Sequence, residues 1–574
     1  MTKIQIMNEH LANKIAAGEV VEKCASVVKE LVENSIDAGS TTIKIELIEA
    51  GTKEIKVIDN GVGMHREDAI LAFSRHATSK ILDEDDLYAI QSLGFRGEAL
   101  PSIAAVSDII LKTSTGDIGT LIYMRAGKIV SNEKTDSRVG TEVTVQNLFY
   151  NTPARLKHLR SLAYELANAT DYVNKMALSY PNIKFSLSNN GKVLLNTDGS
   201  NNLLKVINEI YGLEVTKKMI EIKGSNDDYD ISGYISYPEI TKSNRHHMVI
   251  IVNGRVVRNV ELNKIINDAY YTYKPNDRYP IIILNIDVDP SLVDVNIHPT
   301  KLDVKFSKMV SLKSLLLNVI KEQLEATTLI PSVTIKKEAV SYETMTFNLE
   351  RNPSDEVDLA IYEQLTTYDN DNSIPSVKKE EKLPELYPVG LIHGTYIVCQ
   401  NDLGMYLIDQ HAANERINYE IYKNELSKTN HETIAMLIPL TIEMPSSDYI
   451  ILKDKMAILQ SLNFDVIDMG INTITIKAHP LWLPPGYEDT AIKKIIDIII
   501  DKEDFNMEKF NEKVAITLSC KLAVKANESL SVKEMETIIN RLRTCHNPYT
   551  CPHGRPTIIH YSKYELEKLF KRVM

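Results

Sequence analysis

The chain has 574 residues, of which 44% are apolar and 25% charged, and it carries a formal net charge of −12. That length suits about four domains or fewer, each with its own core. The acidic balance excludes a protein coated in basic surface, so any nucleic-acid contact must come from local, salt-sensitive patches. Five cysteines, Cys24, Cys399, Cys520, Cys545 and Cys551, are odd in number and widely spaced, which fits a reducing cytoplasmic setting better than a disulfide framework. The longest aliphatic run, Ile495 to Ile500, is broken by Asp497, so no membrane span is expected.

In chain order, Leu11 and Ile15 belong to a first short helix and turn. An amphipathic helix follows: Val20, Val27 and Leu31 fall near one face with Val28, Val32 and Ile36 beside it, and Gly39 is its stop. Glu30 and Asn34 sit four apart and share a side of that helix, with Asp37 roughly in line. Such a pair is either a solvated face or a holder of a hydrated divalent cation. Ile43, Ile45 and Leu47 alternate with Lys44 and Glu46 as a half-buried strand, and Ile55 to Ile58 make the next. Asp59 then stands at a strand end. Gly61 and Gly63 after it form either a tight turn or a backbone that approaches a ligand closely. Residues 74 to 100 read as a loop with Thr78, Ser79 and Lys80 at one end. At its other end lie Gly94, Phe95, Arg96 and Gly97, before Glu98, Ala99 and Leu100 open a helix. Glycines before a helix N-terminus suit phosphate.

Four stretches carry a resemblance: Val27 to Gly39, Glu54 to Met64, Gly94 to Leu100 and Gly140 to Arg155. Together they resemble the ATP-binding boxes of the GHKL ATPases, the group of gyrase B, Hsp90-type chaperones and histidine kinases. The wording of the third and fourth boxes is similar to the MutL family of DNA mismatch repair proteins. The resemblance implies ATP with Mg2+ as ligand. It makes Glu30 the general base for the attacking water, Asn34 the Mg2+ ligand, Asp59 the acceptor for the adenine amino group and Thr141 a hydroxyl near the adenine. Thr78, Ser79, Lys80, Arg96 and Gly97 would fall in the lid that closes on the phosphates, and Gly61, Gly63, Gly94, Phe95, Glu98, Ala99 and Leu100 would also line the nucleotide site.

From about residue 216 a second unit begins. Val249 to Val252 is an apolar strand before the hairpin signal Asn253-Gly254, Ile281 to Ile286 is another, and a third ends near Lys301. By resemblance this is a ribosomal-protein-S5-like lobe whose Lys301 reaches the γ-phosphate. Basic clusters at Arg155, Lys157 and Arg160, and at Lys242, Arg245, Arg255 and Arg258, are either solvated surface or contacts to a DNA backbone. Residues 331 to 384 are polar and dotted with Pro331, Pro353, Pro375 and Pro384, the pattern of a flexible linker.

Leu403 to Ile408 is strand-like, and Ala413, Ile417 and Ile421 at spacing four start a helix near His411. His411 and Glu415 share its face, with Asp409 at the strand end before it. Cys520, Cys551 and His553 follow late in the chain. Carboxylate, imidazole and thiolate together suit zinc or manganese rather than calcium. This set resembles the motif of those MutL proteins that nick DNA themselves, which makes Asp409, His411, Glu415, Cys551 and His553 ligands of Mn2+ or Zn2+, with Cys520 nearby. The resemblance also implies a sliding-clamp-binding segment at Ile434 to Pro439, where Ile434 stands in place of the usual glutamine.

The expected architecture is α+β and multidomain: a GHKL α/β sandwich over 1–215, the S5-like lobe over 216–330, the linker over 331–384, and an α+β dimerisation and endonuclease domain over 385–574. The expected function is ATP-dependent mismatch repair by a homodimer that works with double-stranded DNA, a MutS-type mismatch sensor and a sliding clamp. Two alternatives stay open. One is a non-catalytic matchmaker with a structural C-terminal metal. The other is a different GHKL machine, such as a topoisomerase subunit or a chaperone.

Overall fold

The computed structural model describes residues 20–80, 92–94, 97–136, 138–270, 273–274, 278–294, 304–326, 383–428, 432–501, 507–522 and 530–572, with the side chains of 508, 509 and 520–522 excepted. The helix expected around Leu11 and Ile15, Phe95, Arg96, Lys301, nearly all of the linker and the side chain of Cys520 lie outside the described residues. The described residues form two compact units. One takes residues up to 326 together with 414 to 522, and the other takes 383–413 with 530–572.

In the first unit an eight-stranded sheet has the order β5-β4-β3-β6-β2-β1-β7-β8. Its strands are β1 (Thr42–Ile48), β2 (Glu54–Asp59), β3 (Asp108–Ser114), β4 (Gly119–Arg125), β5 (Lys128–Thr135), β6 (Gly140–Gln146), β7 (Lys184–Asn189) and β8 (Lys192–Asn196). All neighbours are antiparallel except β1 and β7. The alternation read in β1 holds: Ile43, Ile45 and Leu47 are buried while Thr42 and Lys44 are exposed. Helix α1 (Cys24–Asp37) lays Val27, Val28, Leu31 and Val32 into the same core. Each such side chain contributes about 1.5–3 kcal/mol when fully buried. α1 ends where expected: Gly39 takes φ +71° and donates its N–H to the Ile36 carbonyl. Helix α2 (Ala99–Ala105) and the long α3 (Leu162–Ser179) complete this layer. The α3 residue Glu165, buried, accepts from the Cys24 N–H at 3.2 Å and satisfies one of the open donors at the start of α1.

The second lobe of this unit is a five-stranded sheet. It contains β9 (Met219–Ser225), β10 (Tyr229–Ser236), β11 (Met248–Val252), β12 (Arg255–Val257) and β13 (Ile282–Val288), in the order β12-β11-β13-β10-β9. Helices α4 (Val260–Ala269) and α5 (Met309–Ala326) pack with it around a core of their own. The Asn253-Gly254 signal is a two-residue hairpin turn, with φ +48° and +77° and Val252 opposite Arg255.

The stretch expected as one C-terminal domain is divided between the units. β14 (Tyr387–Ile392), β15 (Tyr396–Asn401), β16 (Gly404–Asp409) and a late strand, Ile558–Ser562, form an antiparallel sheet of the second unit. Helix α6 (Gln410–Leu426) then leads into a three-stranded sheet whose first member is β17 (Thr433–Glu443). Helices over Ser446–Asp454, Glu488–Asp501 and Met507–Leu522 share its core. These residues belong to the first unit through specific contacts. Ser446 Oγ donates to the Leu194 carbonyl at 2.7 Å, and Arg278 pairs with Asp497 at 2.9 Å with both side chains about a tenth exposed (11% and 12%). No helix among the described residues is long and apolar enough to cross a membrane.

Ile45 sits opposite Val57 on β2 and Leu187 on β7 and is fully buried. Ile45→Ala is expected to cost about 2–5 kcal/mol, because the sheet centre has little room to collapse. A urea titration followed by tryptophan-independent circular dichroism checks this; an unshifted midpoint contradicts the placement of the core.

Candidate nucleotide and metal sites

Beside α1 and the ends of β2 and β6 lies a cavity of about 1180 Å³. Its lining brings together Glu30, Asn34, Asp59, Gly63, Thr78, Ser79, Lys80, Gly94, Gly97, Glu98, Ala99, Leu100 and Thr141, residues spread over more than a hundred positions of sequence. Gly61 is not in the lining, but its N–H donates to Asp59 Oδ1 at 2.9 Å.

Asp59 is buried and fixed on both oxygens. Oδ1 accepts from the Gly61 and Thr141 N–H groups, at 2.9 and 3.1 Å, and Oδ2 accepts from Ser35 Oγ at 2.8 Å. One carboxylate therefore ties α1, the turn after β2 and the start of β6. Thr141 Oγ1 is 3.0 Å from Thr113 Oγ1, which itself accepts from the Met64 N–H at 2.9 Å. Gly63 has φ +70°, and a Cβ there would stand 2.0 Å from the Ser114 carbonyl oxygen. Gly97 has φ +61°, and its Cβ would meet the Ala77 carbonyl oxygen at 2.4 Å. Backbone approach this close admits glycine alone.

On α1, Lys29 Nζ reaches Glu30 Oε1 at 3.0 Å and Glu33 Oε1 at 3.3 Å. Burial opposes the Lys29 charge, but the Glu30 and Glu33 carboxylates outweigh it and hold the ammonium above its usual range. Tyr172 of α3 donates to Glu33 Oε1 at 3.1 Å, and burial, then Glu33 and Glu30, push its phenol well above the ordinary value. Asn34 Oδ1 lies 3.3 Å from Lys80 Nζ, which also pairs with Asp37 Oδ2 at 2.6 Å. Asp37 accepts further from the Leu93 and Gly94 N–H groups, both at 2.9 Å.

The supporting residues Lys29, Ser35, Asp37 and Tyr172 are ones that motif reading passes over. Asp37, three positions after Asn34 on the same side of α1, offered a signal of its own. Ser35 and Tyr172 offered none, since their roles exist only once the sheet and α3 have closed.

The basic residues are distributed. Arg255 and Arg258 line the cavity itself, and Arg255 Nη2 donates to the Ser92 carbonyl at 2.7 Å. Arg155 and Lys157 lie on a short helix, Pro153–His158, and the Arg160 guanidinium stands 4.5 Å over the Tyr164 ring.

In the C-terminal stretch, the Asp409 N–H donates to the Thr557 carbonyl at 2.9 Å, and Asp409 Oδ1 accepts from the Ala412 N–H at 3.0 Å. The aspartate thus closes β16 and caps the first turn of α6. Glu415 lies in the second turn of α6, within the first unit, and Cys551 and His553 lie in the second. Glu415 and Cys551 are buried and His553 is exposed. Cys551 and His553 sit on a tight turn in which the Cys551 N–H donates to the Arg555 carbonyl at 2.8 Å and the Gly554 N–H to the Cys551 carbonyl at 2.9 Å. Carboxylate, thiolate and imidazole donors of these kinds suit a zinc- or manganese-type ion. Asp409 ends β16 and His411 lies in the first turn of α6. Cys24, Cys399, Cys545 and Cys551 are buried, and burial pushes the Cys399 thiol up to about 11. The segment Ile434 to Pro439 falls in β17 where pairing breaks between Ala435 and Leu440, and Leu437 and Ile438 are 99% and 79% exposed.

Three family models match the chain. The histidine kinase-, DNA gyrase B- and HSP90-like ATPase matches residues 22–148, the DNA mismatch repair protein C-terminal domain matches 207–325, and the MutL C-terminal dimerisation domain matches 389–530. The DNA mismatch repair protein MutL of Geobacillus sp. is 44% identical over 624 aligned residues, covering 100% of both chains. That of Listeria innocua is 45% identical and covers 99% of both. A solved N-terminal domain of a DNA repair protein aligns with 55% of this chain and 98% of its own length, at 27% identity and a TM-score of 0.49. With full-length relatives at this identity and an ATPase and a dimerisation domain matched in the expected order, the chain belongs to the MutL family of DNA mismatch repair proteins.

Proposed function

We propose that the cavity beside α1 binds Mg–ATP, and that the chain uses its hydrolysis to drive mismatch repair as a homodimer inside the cell. The observation that carries this reading is the convergence of Glu30, Asn34, Asp59 and the glycine-bearing loops on one cavity. Asp59, held by Ser35, Gly61 and Thr141, accepts from the adenine amino group. Asn34 ligates the Mg2+ of the substrate. Glu30 takes a proton from the attacking water. The Lys29 ammonium, 3.0 Å from Glu30 Oε1, orients the carboxylate. Hydrolysis of this kind depends on positioning and charge neutralisation more than on covalent chemistry. Lys301 reaches the γ-phosphate from the second lobe.

The C-terminal donors extend the reading to strand nicking. By the family resemblance, Asp409, His411, Glu415, Cys551 and His553, with Cys520, would hold a Zn2+ or Mn2+ ion. Bound there, the ion supplies an activated water and neutralises charge on a phosphodiester. The chain's own contribution is these donor groups, of which Glu415 and Cys551 are buried and His553 is exposed. Double-stranded DNA, held by Arg155, Lys157, Arg160, Arg255 and Arg258, is the substrate, and a MutS-type sensor recruits the protein. The exposed Leu437 and Ile438, bulged out of β17, suit a sliding clamp although Ile434 lacks the amide of the usual glutamine.

Glu30→Ala is expected to lower ATP turnover by about 10²–10⁴-fold, the range for a general base, with ATP binding retained. Hydrolysis and equilibrium binding measured on the same preparation separate the two; loss of binding alone contradicts the assignment. Wild-type protein with Mn2+ is expected to nick covalently closed circular DNA. Cys551→Ser and Asp409→Asn should lose this while keeping full ATPase activity. Absence of nicking in wild type and both variants alike, while wild type still hydrolyses ATP, points to a structural metal and a matchmaker role.

A further inference from the structure

The segment Ser92–Gly94 is gripped from two sides by residues to which motif reading gives no such task. From α1, the Asp37 carboxylate accepts the Leu93 and Gly94 N–H groups, one on each oxygen, at 2.9 Å. From the second lobe, Arg255 Nη2 donates to the Ser92 carbonyl at 2.7 Å. Ser92 Oγ donates to the Gly94 carbonyl at 2.9 Å and stiffens the segment between the two grips. Gly94 leaves no slack, since a Cβ there would lie 3.2 Å from Lys80 Nζ and 3.6 Å from Asn34 Oδ1.

The Arg255 end is itself anchored. Arg255 leaves a hairpin turn whose Asn253 side chain donates to the Val288 carbonyl at 2.8 Å and accepts from the Val288 N–H at 2.9 Å. Ser179 Oγ, at the end of α3, donates to the Gly254 carbonyl at 2.8 Å, and a Cβ on Gly254 would stand 2.6 Å from the Tyr180 hydroxyl. Tyr180, partly buried, is pushed up to about 12 by burial first, with Asp37 adding to the shift and Arg255 opposing it.

We propose that Asp37 and Arg255 are positioning residues for the nucleotide, which together hold Ser92–Gly94 against the cavity so that the second lobe sets ATP affinity through one guanidinium-to-carbonyl bond. The proposal rests on the reading of the cavity as the ATP site. It adds a link between the lobes that does not pass through the nucleotide, and it gives Arg255 a task besides DNA. A hydrogen bond from a charged donor is worth enough to change affinity about tenfold when lost.

The test uses the full chain and four variants: Arg255→Ala, Arg255→Lys, Asp37→Asn and Arg255→Ala combined with Asp37→Asn. KM and kcat for ATP are measured for each, with binding of a fixed DNA duplex at one salt concentration. Arg255→Ala is expected to raise KM about tenfold with kcat within about twofold. Arg255→Lys should recover part of this, because an ammonium reaches the carbonyl as a point charge without the planar fork. The double variant should fall well short of the product of the single effects, since both grips act on one segment. An unchanged KM in Arg255→Ala overturns the proposal, whether or not DNA affinity falls. So do single effects that simply multiply. The near-isosteric Asp37→Asn and Arg255→Lys keep the test open if Arg255→Ala fails to fold. Absence of any ATP hydrolysis in wild type would instead remove the reading on which the proposal stands.

Discussion

The nucleotide half of this molecule depends on one buried carboxylate. Asp59 lies at the end of a central strand, where the sheet stops and the cavity begins. Left alone, a charge there would be costly to bury. Ser35, Gly61 and Thr141 satisfy it with three donors from three separate elements, so the carboxylate sets the distance between α1 and the sheet end. Everything else follows from that distance. Glu30 and Asn34 face the cavity because α1 buries its opposite side in the core. Gly63 and Gly140 are needed because the backbones around Asp59 approach so closely that a Cβ would meet carbonyl oxygens at 2.0 and 2.3 Å.

Much of this was legible in the sequence, and for physical reasons. The period-two run Ile43, Ile45, Leu47 has only one way to bury its apolar side, and it does so. The three-and-four spacing of Val27, Val28, Leu31 and Val32 left one face of α1 for Glu30 and Asn34. Asn253-Gly254 demanded a turn with two positive φ values, and the hairpin has them. What was not legible is long-range. Tyr172 meets Glu33 across 139 positions, and Arg255 meets Ser92 across 163. No local pattern marks such pairs; they arise when α3 and the second lobe close over α1.

The C-terminal stretch shows the same division. Spacing four placed Glu415 on the first turns of α6, and β16 ends at Asp409 as the alternation required. Cys551 and His553 are carried by a tight turn in which the Gly554 N–H donates to the Cys551 carbonyl, a feature no helical or strand spacing announced. Composition gave no hint that Asp409 would spend an oxygen on capping α6. Its carboxylate is thereby oriented by the helix it starts. The splitting of the C-terminal residues between two compact units was also not legible, because Ser446 and Asp497 look like ordinary surface residues until Leu194 and Arg278 are set against them.

The most direct measurement is a calorimetric titration of ATP with Mg2+ into the full chain and into Asp59→Asn. The amide keeps the size of the side chain but loses charge and one acceptor, so Ser35, Gly61 and Thr141 no longer share a common anchor. The account predicts a loss of ATP affinity of about tenfold to a hundredfold, the scale of hydrogen bonds to a charged group. Unchanged affinity in a folded Asp59→Asn protein would contradict it.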